Sequence, residues 1–308
     1  MSVIDSPRSV LVYLANGVQG GAVVRAALRR GFKVRALVRD SSKSRELAAL
    51  GAELVEGDLG DRSSLIAASS GVANAILQVP IGPPDAMLRQ ASNALAASTA
   101  SGLKSIILKL ASASRSAPCP EPSLLANWEI EQRARNAGLR FAIVRPTMYL
   151  DNLLKPSARA DIVCRGVFVP PIAEAQRIAW TSADDCANAA MALLERGADG
   201  GDHLVAGPES VTGDKLAERI SAGLGRRIVY RAQGLEEFER DIDAAMGPGN
   251  GQRVASKFRF FAENPAEANA TLSGLSGART VLDGFQPTLI EDWVRQHRPD
   301  FLANEDQR

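Results

Sequence analysis

The stretch "VLVYLANGVQGGAVVRAALRRG", residues 10–31, decides the fold. An apolar run ends in a glycine-rich turn, and the segment after the turn repeats Val23, Val24, Ala27 and Leu28 along one helical face. Strand, tight turn and helix in that order open a dinucleotide-binding unit, in which a diphosphate rests on the helix amino end and glycines let the backbone approach it. Gly17 and Gly20 hold the last two places of a G-x-x-G-x-x-G spacing, and Gly21 lets the helix begin close to the sheet. The first place is Leu14. A leucine enters the positive-φ region only with strain, and its side chain is expected to project where glycine leaves room for a cofactor. The same turn can also do no more than join a strand to a helix.

Working outward, short apolar runs alternate with helix-period segments. After the first strand, "SVLVYL", and a helix over 20–30 come strands at "KVRALVR", "AELVEGD", "ANAILQVP", "KSIILKLAS" and "RFAIVRP". Helices are expected between them at "SRELAALG", "RSSLIAASSG", "DAMLRQASNALAASTASG" and "LLANWEIEQRARNAG". This pattern predicts an α/β fold, a Rossmann-like doubly wound parallel sheet covered on both faces. After Pro146 the alternation breaks. Residues 147–180 read as irregular, "TSADDCANAAMALLERG" as a helix, "GDHLVAG" as a late strand and "VTGDKLAERISAGLG" as a helix capped by a Thr. "RIVYRAQ" reads as a strand, "LEEFERDIDAAM" as a helix, 247–252 as a flexible turn and "TLIEDWVRQH" as a terminal helix. The expected organisation is a dinucleotide-binding core over 1–146 and a small α/β substrate-covering lobe over 147–308, interleaved with the core.

The 308 residues, 45% of them hydrophobic, are enough for a sizeable core. No apolar run approaches the roughly 20 residues that span a bilayer, and "MSVIDSPRSV" lacks the basic start and apolar stretch of a leader, so a cytoplasmic protein without membrane partners is expected. A net charge of +1 gives no electrostatic footprint for nucleic acid. Cys119, Cys164 and Cys186 lack the paired spacing of zinc or disulfide sites and read as reduced thiols. His203 and His297 have no evident partner in the sequence, and no metal site is expected.

Five blocks in order then carry a resemblance: "NGVQGGAVVRAALRRGFKVRALVRD", "GAELVEGDLGD", "GLRFAIVRPTMYLDNLL", "TSADDCANAAMALLE" and "AGPESVTGDKLAERI". Together they resemble the NmrA-like branch of the atypical short-chain dehydrogenase/reductase superfamily. The resemblance implies either an NADPH-dependent reductase of quinones, azo dyes or phenylpropanoids, or a cofactor-sensing regulator without turnover. Gly17, Val18, Gln19 and Gly20 would then hold the cofactor diphosphate. Arg39, at the end of the second strand, suits the extra phosphate of NADP, where an acid would suit NAD, so NADP(H) is favoured. Lys43 adds a donor there or is a solvated surface lysine. Asp58 resembles the acid beside the adenine, with Leu59 next to it, or else caps the following helix, a task open to Asp61 as well.

The catalytic helix departs from the superfamily. Ordinary members use Tyr-x-x-x-Lys, whereas aligning "EIEQ" and "NAGLRFAIVRP" puts Ser123 and Asn127 at those positions, neither a general base near neutral pH. Asn127 can still hold a substrate oxygen or a water. Lys109, unusual inside "SIILKLAS", is either a desolvated catalytic lysine at the carboxyl edge of the sheet or a lysine whose head reaches solvent. Tyr149 is the remaining candidate for proton transfer. Ser112, Ser114, Trp128, Met148, Asn152 and Leu153 are candidates for a substrate pocket, as Trp180, Phe260 and Phe261 are for its apolar walls, although the apolar ones among them more often make core than pocket. Three functions follow: an NADP(H)-dependent oxidoreductase of a quinone-like or aromatic small molecule, an NADP-sensing regulator without turnover, or a cofactor-independent or reassigned tailoring enzyme for coupling, cyclisation or isomerisation of aromatic intermediates without nicotinamide, with bacterial specialised metabolism as the expected setting. A homodimer is left open.

Overall fold

The computed structural model describes residues 8–274 and 285–303. The chain alternates from β1 (Ser9–Val12) through α1 (Val18–Arg29), β2 (Lys33–Val38), α2 (Arg45–Ala49), β3 (Glu53–Glu56), α3 (Arg62–Ser69), β4 (Asn74–Leu77) and α4 (Pro84–Ala100). It continues with β5 (Ser105–Lys109), α5 (Pro122–Arg135), β6 (Arg140–Pro146), α6 (Pro156–Ala160) and β7 (Val167–Phe168). Then come α7 (Ala183–Glu195), β8 (Asp202–Val205), α8 (Gly213–Leu224) and β9 (Val229–Tyr230). The helices α9 (Leu235–Met246), α10 (Asn250–Glu263), α11 (Pro265–Leu272), α12 (Ile290–Gln296) and α13 (Arg298–Leu302) follow.

Among the described residues two compact units form: 8–146 with 183–205 and residue 285, and 147–182 with 206–274 and 286–303. The first is a seven-stranded sheet in the order β3-β2-β1-β4-β5-β6-β8, and every pairing is parallel. Its central strands are largely apolar and buried between polar ends at Ser9, Asn74, Ser105 and Lys109, as parallel strands covered on both faces must be. The chain winds outward one way from β1 to β3 and the other way from β4 to β8. The crevice at the carboxyl ends of β1 and β4 is therefore the place where open α/β sheets take ligands.

Residues 183–205, expected with the lobe, belong to the sheet unit. β8 covers the edge that β6 would otherwise leave unpaired, in the register Val144 to His203. The alanine-rich face of α7 packs on α1, flanked by ion pairs from Arg25 to Asp184 at 3.4 Å and from Arg30 to Glu195 at 2.6 Å. Two boundaries near the opening turn also differ from expectation. β1 stops at Val12, and α1 begins at Val18, so Val18 and Gln19 are helical.

In the second unit the irregular segment is organised by backbone pairing. Leu150 N–H donates to the Thr181 carbonyl at 2.7 Å, Thr181 N–H to that of Met148 at 2.9 Å, and Ile178 and Val211 exchange a pair of bonds. A Cβ on Gly207 would lie 1.8 Å from the Trp180 carbonyl oxygen, so only glycine permits this approach. The strand expected at "RIVYRAQ" shrinks to Val229–Tyr230, which pairs with β7, and the Phe168 ring meets Trp180 and Tyr230 edge-on. Thr212 stands at the α8 cap position, but its side chain makes no capping bond. The turn expected over 247–252 is shorter, because α10 already starts at Asn250. Among the described residues no helix is long and apolar enough to cross a membrane.

Candidate dinucleotide site

Leu14 adopts φ +52°, the left-handed conformation that a glycine would supply. Such a backbone costs a non-glycine residue about 1–2 kcal/mol. The turn closes with Gly17 N–H donating to the Leu14 carbonyl at 3.0 Å, and Ala15 N–H donates to Leu37 at 3.2 Å. The half-buried Leu14 side chain packs on the core cluster that contains Leu37, Leu59 and Leu77. The positive φ expected to strain a leucine here is present, and the glycine-type backbone persists with the side chain packed on the core. A Cβ on Gly20 would fall 2.0 Å from the Leu14 carbonyl oxygen, so the helix can start against the turn only with glycine there.

The amino end of α1 carries no side-chain cap and no acid in its first turn, and Gly21 N–H, bonded to Gly17 O at 2.7 Å, is the first to find a helical acceptor. The N–H groups of Val18, Gln19 and Gly20 precede it, and Val18 is 65% exposed. Unsatisfied N–H groups, a positive dipole end and open surface fit a diphosphate.

At the carboxyl end of β2, Arg39 is exposed and has no ion pair among the described residues. Lys43 stands 3.4 Å from Asp40, with its side chain 80% exposed. Ser42 donates to Asp40 through both its N–H and its hydroxyl, and Ser41 does the same to Glu56. These bonds hold both carboxyls below the ordinary range. Asp61, not Asp58, caps α3, accepting from Ser63 N–H at 2.9 Å. Asp58 instead accepts from Gly60 N–H at 2.6 Å and is exposed beyond β3, next to buried Leu59.

Lys109 is 1% exposed, which excludes the reading in which its head reaches solvent. Its ammonium donates to Gln19 Oε1 at 2.6 Å and to Gln78 Oε1 at 3.3 Å. Asn127, expected to offer bonds to substrate, directs its amide N–H groups at Ser112 Oγ, 3.0 Å, and the Ala113 carbonyl, 2.7 Å. Its donors are spent on fixing the loop after β5. Ser123 donates to Glu121, which caps α5. In the loop after β5, Ser114 Oγ is buried with no hydrogen-bond partner among the described residues, and Trp128 on α5 is half-buried.

In the second unit Tyr149 is buried beside Met148, its backbone bridged to Thr181. Leu153 is fully buried, as Trp180 nearly is, and Phe260 and Phe261 are also buried, which makes them core before they are walls; Asn152 keeps partial exposure. Lys155, not singled out in the sequence, is exposed at the start of α6, and desolvation lowers its pKa. The signal was its place directly after the 147–154 block. The cavity of about 620 Å³ beside α12, lined by Pro208, Pro287, Leu289 and Asp292, contains none of the candidate residues. His203, near the start of β8 and so at the amino edge of the sheet, away from the ligand crevice, does have a partner: Asp199, ahead of the strand, lies 2.9 Å away.

A family model described as the NmrA-like family matches residues 7–288. The chain belongs to the NmrA-like family. An NAD(P)H azoreductase of Xenophilus azovorans is 32% identical over 96% of this chain and 99% of its own. Quinone oxidoreductase 2 of Escherichia coli is 26% identical over 73% of this chain and 77% of its own. Among solved structures, the NmrA-like fold matches the triphenylmethane reductase of Citrobacter sp. complexed with NADP(H), with a TM-score of 0.73 at 22% identity, covering 94% of this chain and 99% of that one.

Proposed function

We propose that the protein is an NAD(P)H-dependent oxidoreductase acting on a quinone or another aromatic small molecule, with NADP(H) preferred. The observation that carries this reading is the uncapped start of α1 behind an intact glycine-type turn, at the switch point of a parallel sheet. The azoreductase and quinone oxidoreductase relatives support the substrate class. Bound NAD(P)H supplies a hydride. The N–H groups of Val18, Gln19 and Gly20 hold the diphosphate, Arg39 the 2′-phosphate, with Lys43 released from Asp40 to join it, and Asp58 and Leu59 flank the adenine. Ser114 and Trp128, and separately Met148, Tyr149 and Asn152, are the side chains assigned to substrate. Quinone reduction suits a chain with Ser123 and Asn127 in place of Tyr and Lys, because the reduced product takes its protons from water.

The test is titration of the purified protein with NADPH, NADP+ and NADH, followed by nicotinamide fluorescence and thermal melting, then a panel of quinones and azo dyes. Ligand at 100 times its dissociation constant adds about 2.7 kcal/mol of stability. NADPH consumption with at least one acceptor is the expected result, and Arg39→Ala is expected to erode the preference for NADPH over NADH. Binding without consumption across the panel would replace catalysis with sensing, and no binding would overturn the reading.

A further inference from the structure

Lys109 ends a fully buried strand, directly after the apolar run Ile106, Ile107 and Leu108, where a bare ammonium is costly unless its hydrogen bonds are made. Two of those bonds run to the opening turn from opposite sides. Directly, Nζ holds Gln19, the second residue of α1, at 2.6 Å. Indirectly, Nζ holds Gln78 Oε1 at 3.3 Å, and the Gln78 Nε2 then donates to the Tyr13 carbonyl at 3.1 Å. Tyr13 immediately precedes the strained Leu14, and Gln19 lies just beyond Gly17. One buried cation thus grips both arms of the turn.

The orientation of the two carboxamides follows from the chemistry. An ammonium has only donors, so each glutamine must turn its oxygen toward Lys109 and its NH₂ away. The Gln78 NH₂ goes to Tyr13. The Gln19 NH₂ has no partner among the described residues and stands on the first turn of α1, beside the N–H groups that await an anion.

We propose that Lys109 is a positioning residue for the dinucleotide: through Gln19 and Gln78 it holds the Leu14 turn in its anion-accepting shape and fixes the Gln19 NH₂ as a side-chain donor to the diphosphate. This rests on the reading of the turn as a dinucleotide site. It gives the lysine a task other than proton transfer, and it ties together Leu14 and Lys109, two residues that each look misplaced alone.

The experiment compares the parent with Lys109→Met, which fills similar volume without the bonds, with Gln19→Leu, at a half-exposed position that tests the same link from its other end, and with the double variant. Dissociation constants are measured by calorimetry for NADPH and for adenosine 2′-monophosphate, which lacks the diphosphate. Each single variant is expected to weaken NADPH about tenfold or more, the scale of one lost charge-assisted bond. The monophosphate is expected to stay within about twofold, and the double variant to bind about as the weaker single. Additive losses, or monophosphate affinity falling as far as that for NADPH, would overturn the proposal, since a purely structural fault moves both ligands. If the parent binds NADPH and both variants bind it equally well, this inference fails alone. A parent that binds neither ligand overturns the functional reading and this one with it.

Discussion

Two loops leave neighbouring parts of the same sheet edge, and they have absorbed change differently. The turn after β1 has Leu14 where the glycine spacing calls for glycine, yet its backbone has φ +52°, and the start of α1 is free of side-chain caps and acids. The loop after β5, with α5 behind it, keeps its place in the fold but carries Asn127, with both donors spent internally, and Ser123, bound to Glu121. On the proposed reading the first loop acts through backbone N–H groups, which survive a side-chain exchange wherever the fold can hold the conformation. A catalytic loop acts through side-chain chemistry, which no backbone can restore. Anion binding should therefore outlast acid–base catalysis in this chain, and each prediction below probes one side of that difference.

The largest effect is expected at Gly20. Its Cβ would meet the Leu14 carbonyl oxygen at 2.0 Å, backbone against backbone, so Gly20→Ala must open the turn. Overpacking of this kind costs about 1–3 kcal/mol of stability. NADPH affinity should fall about 100-fold, which calorimetry and a melting curve together would measure. Unchanged affinity would mean that the anion does not depend on this close approach, and the comparison would collapse.

Asn127→Ala should do the reverse. It leaves the buried acceptors on Ser112 and Ala113 without their donor, at a cost of about 1–3 kcal/mol. The loss should appear as a lower melting temperature, while NADPH affinity stays within about twofold. A selective loss of NADPH binding at constant stability would give Asn127 a ligand contact and return it to the site.

The same difference governs what could be read from the sequence. Alternating apolar runs and helix-period segments were sufficient for the sheet, because burial on both faces leaves a strong one-dimensional pattern. The helix boundary at Val18 was not legible, since it depends on a left-handed Leu14 held by packing against residues far away in the chain. Lys109 stood out as an anomaly, but its partners Gln19 and Gln78 are polar residues with no periodic signal. Their convergence is a product of strand order. The second unit was read least well: 147–182 is held by single backbone bridges such as Tyr149 to Thr181, which leave no mark on composition.

The smallest effect is expected at the residue that first drew attention. Leu14→Gly removes a left-handed strain of about 1–2 kcal/mol. It also removes apolar contact with the core cluster and adds about 0.5–1 kcal/mol of chain entropy to be lost on folding. These terms oppose one another, so the melting temperature should barely move. Because the backbone already has the shape that glycine would give it, NADPH affinity should also stay within about twofold. A tenfold tightening would show that the leucine side chain obstructs the ligand, so that conservation of backbone shape is not enough to conserve the site. A loss of several kcal/mol would show instead that the leucine had become a core residue, and that the turn now depends on the packing acquired with it.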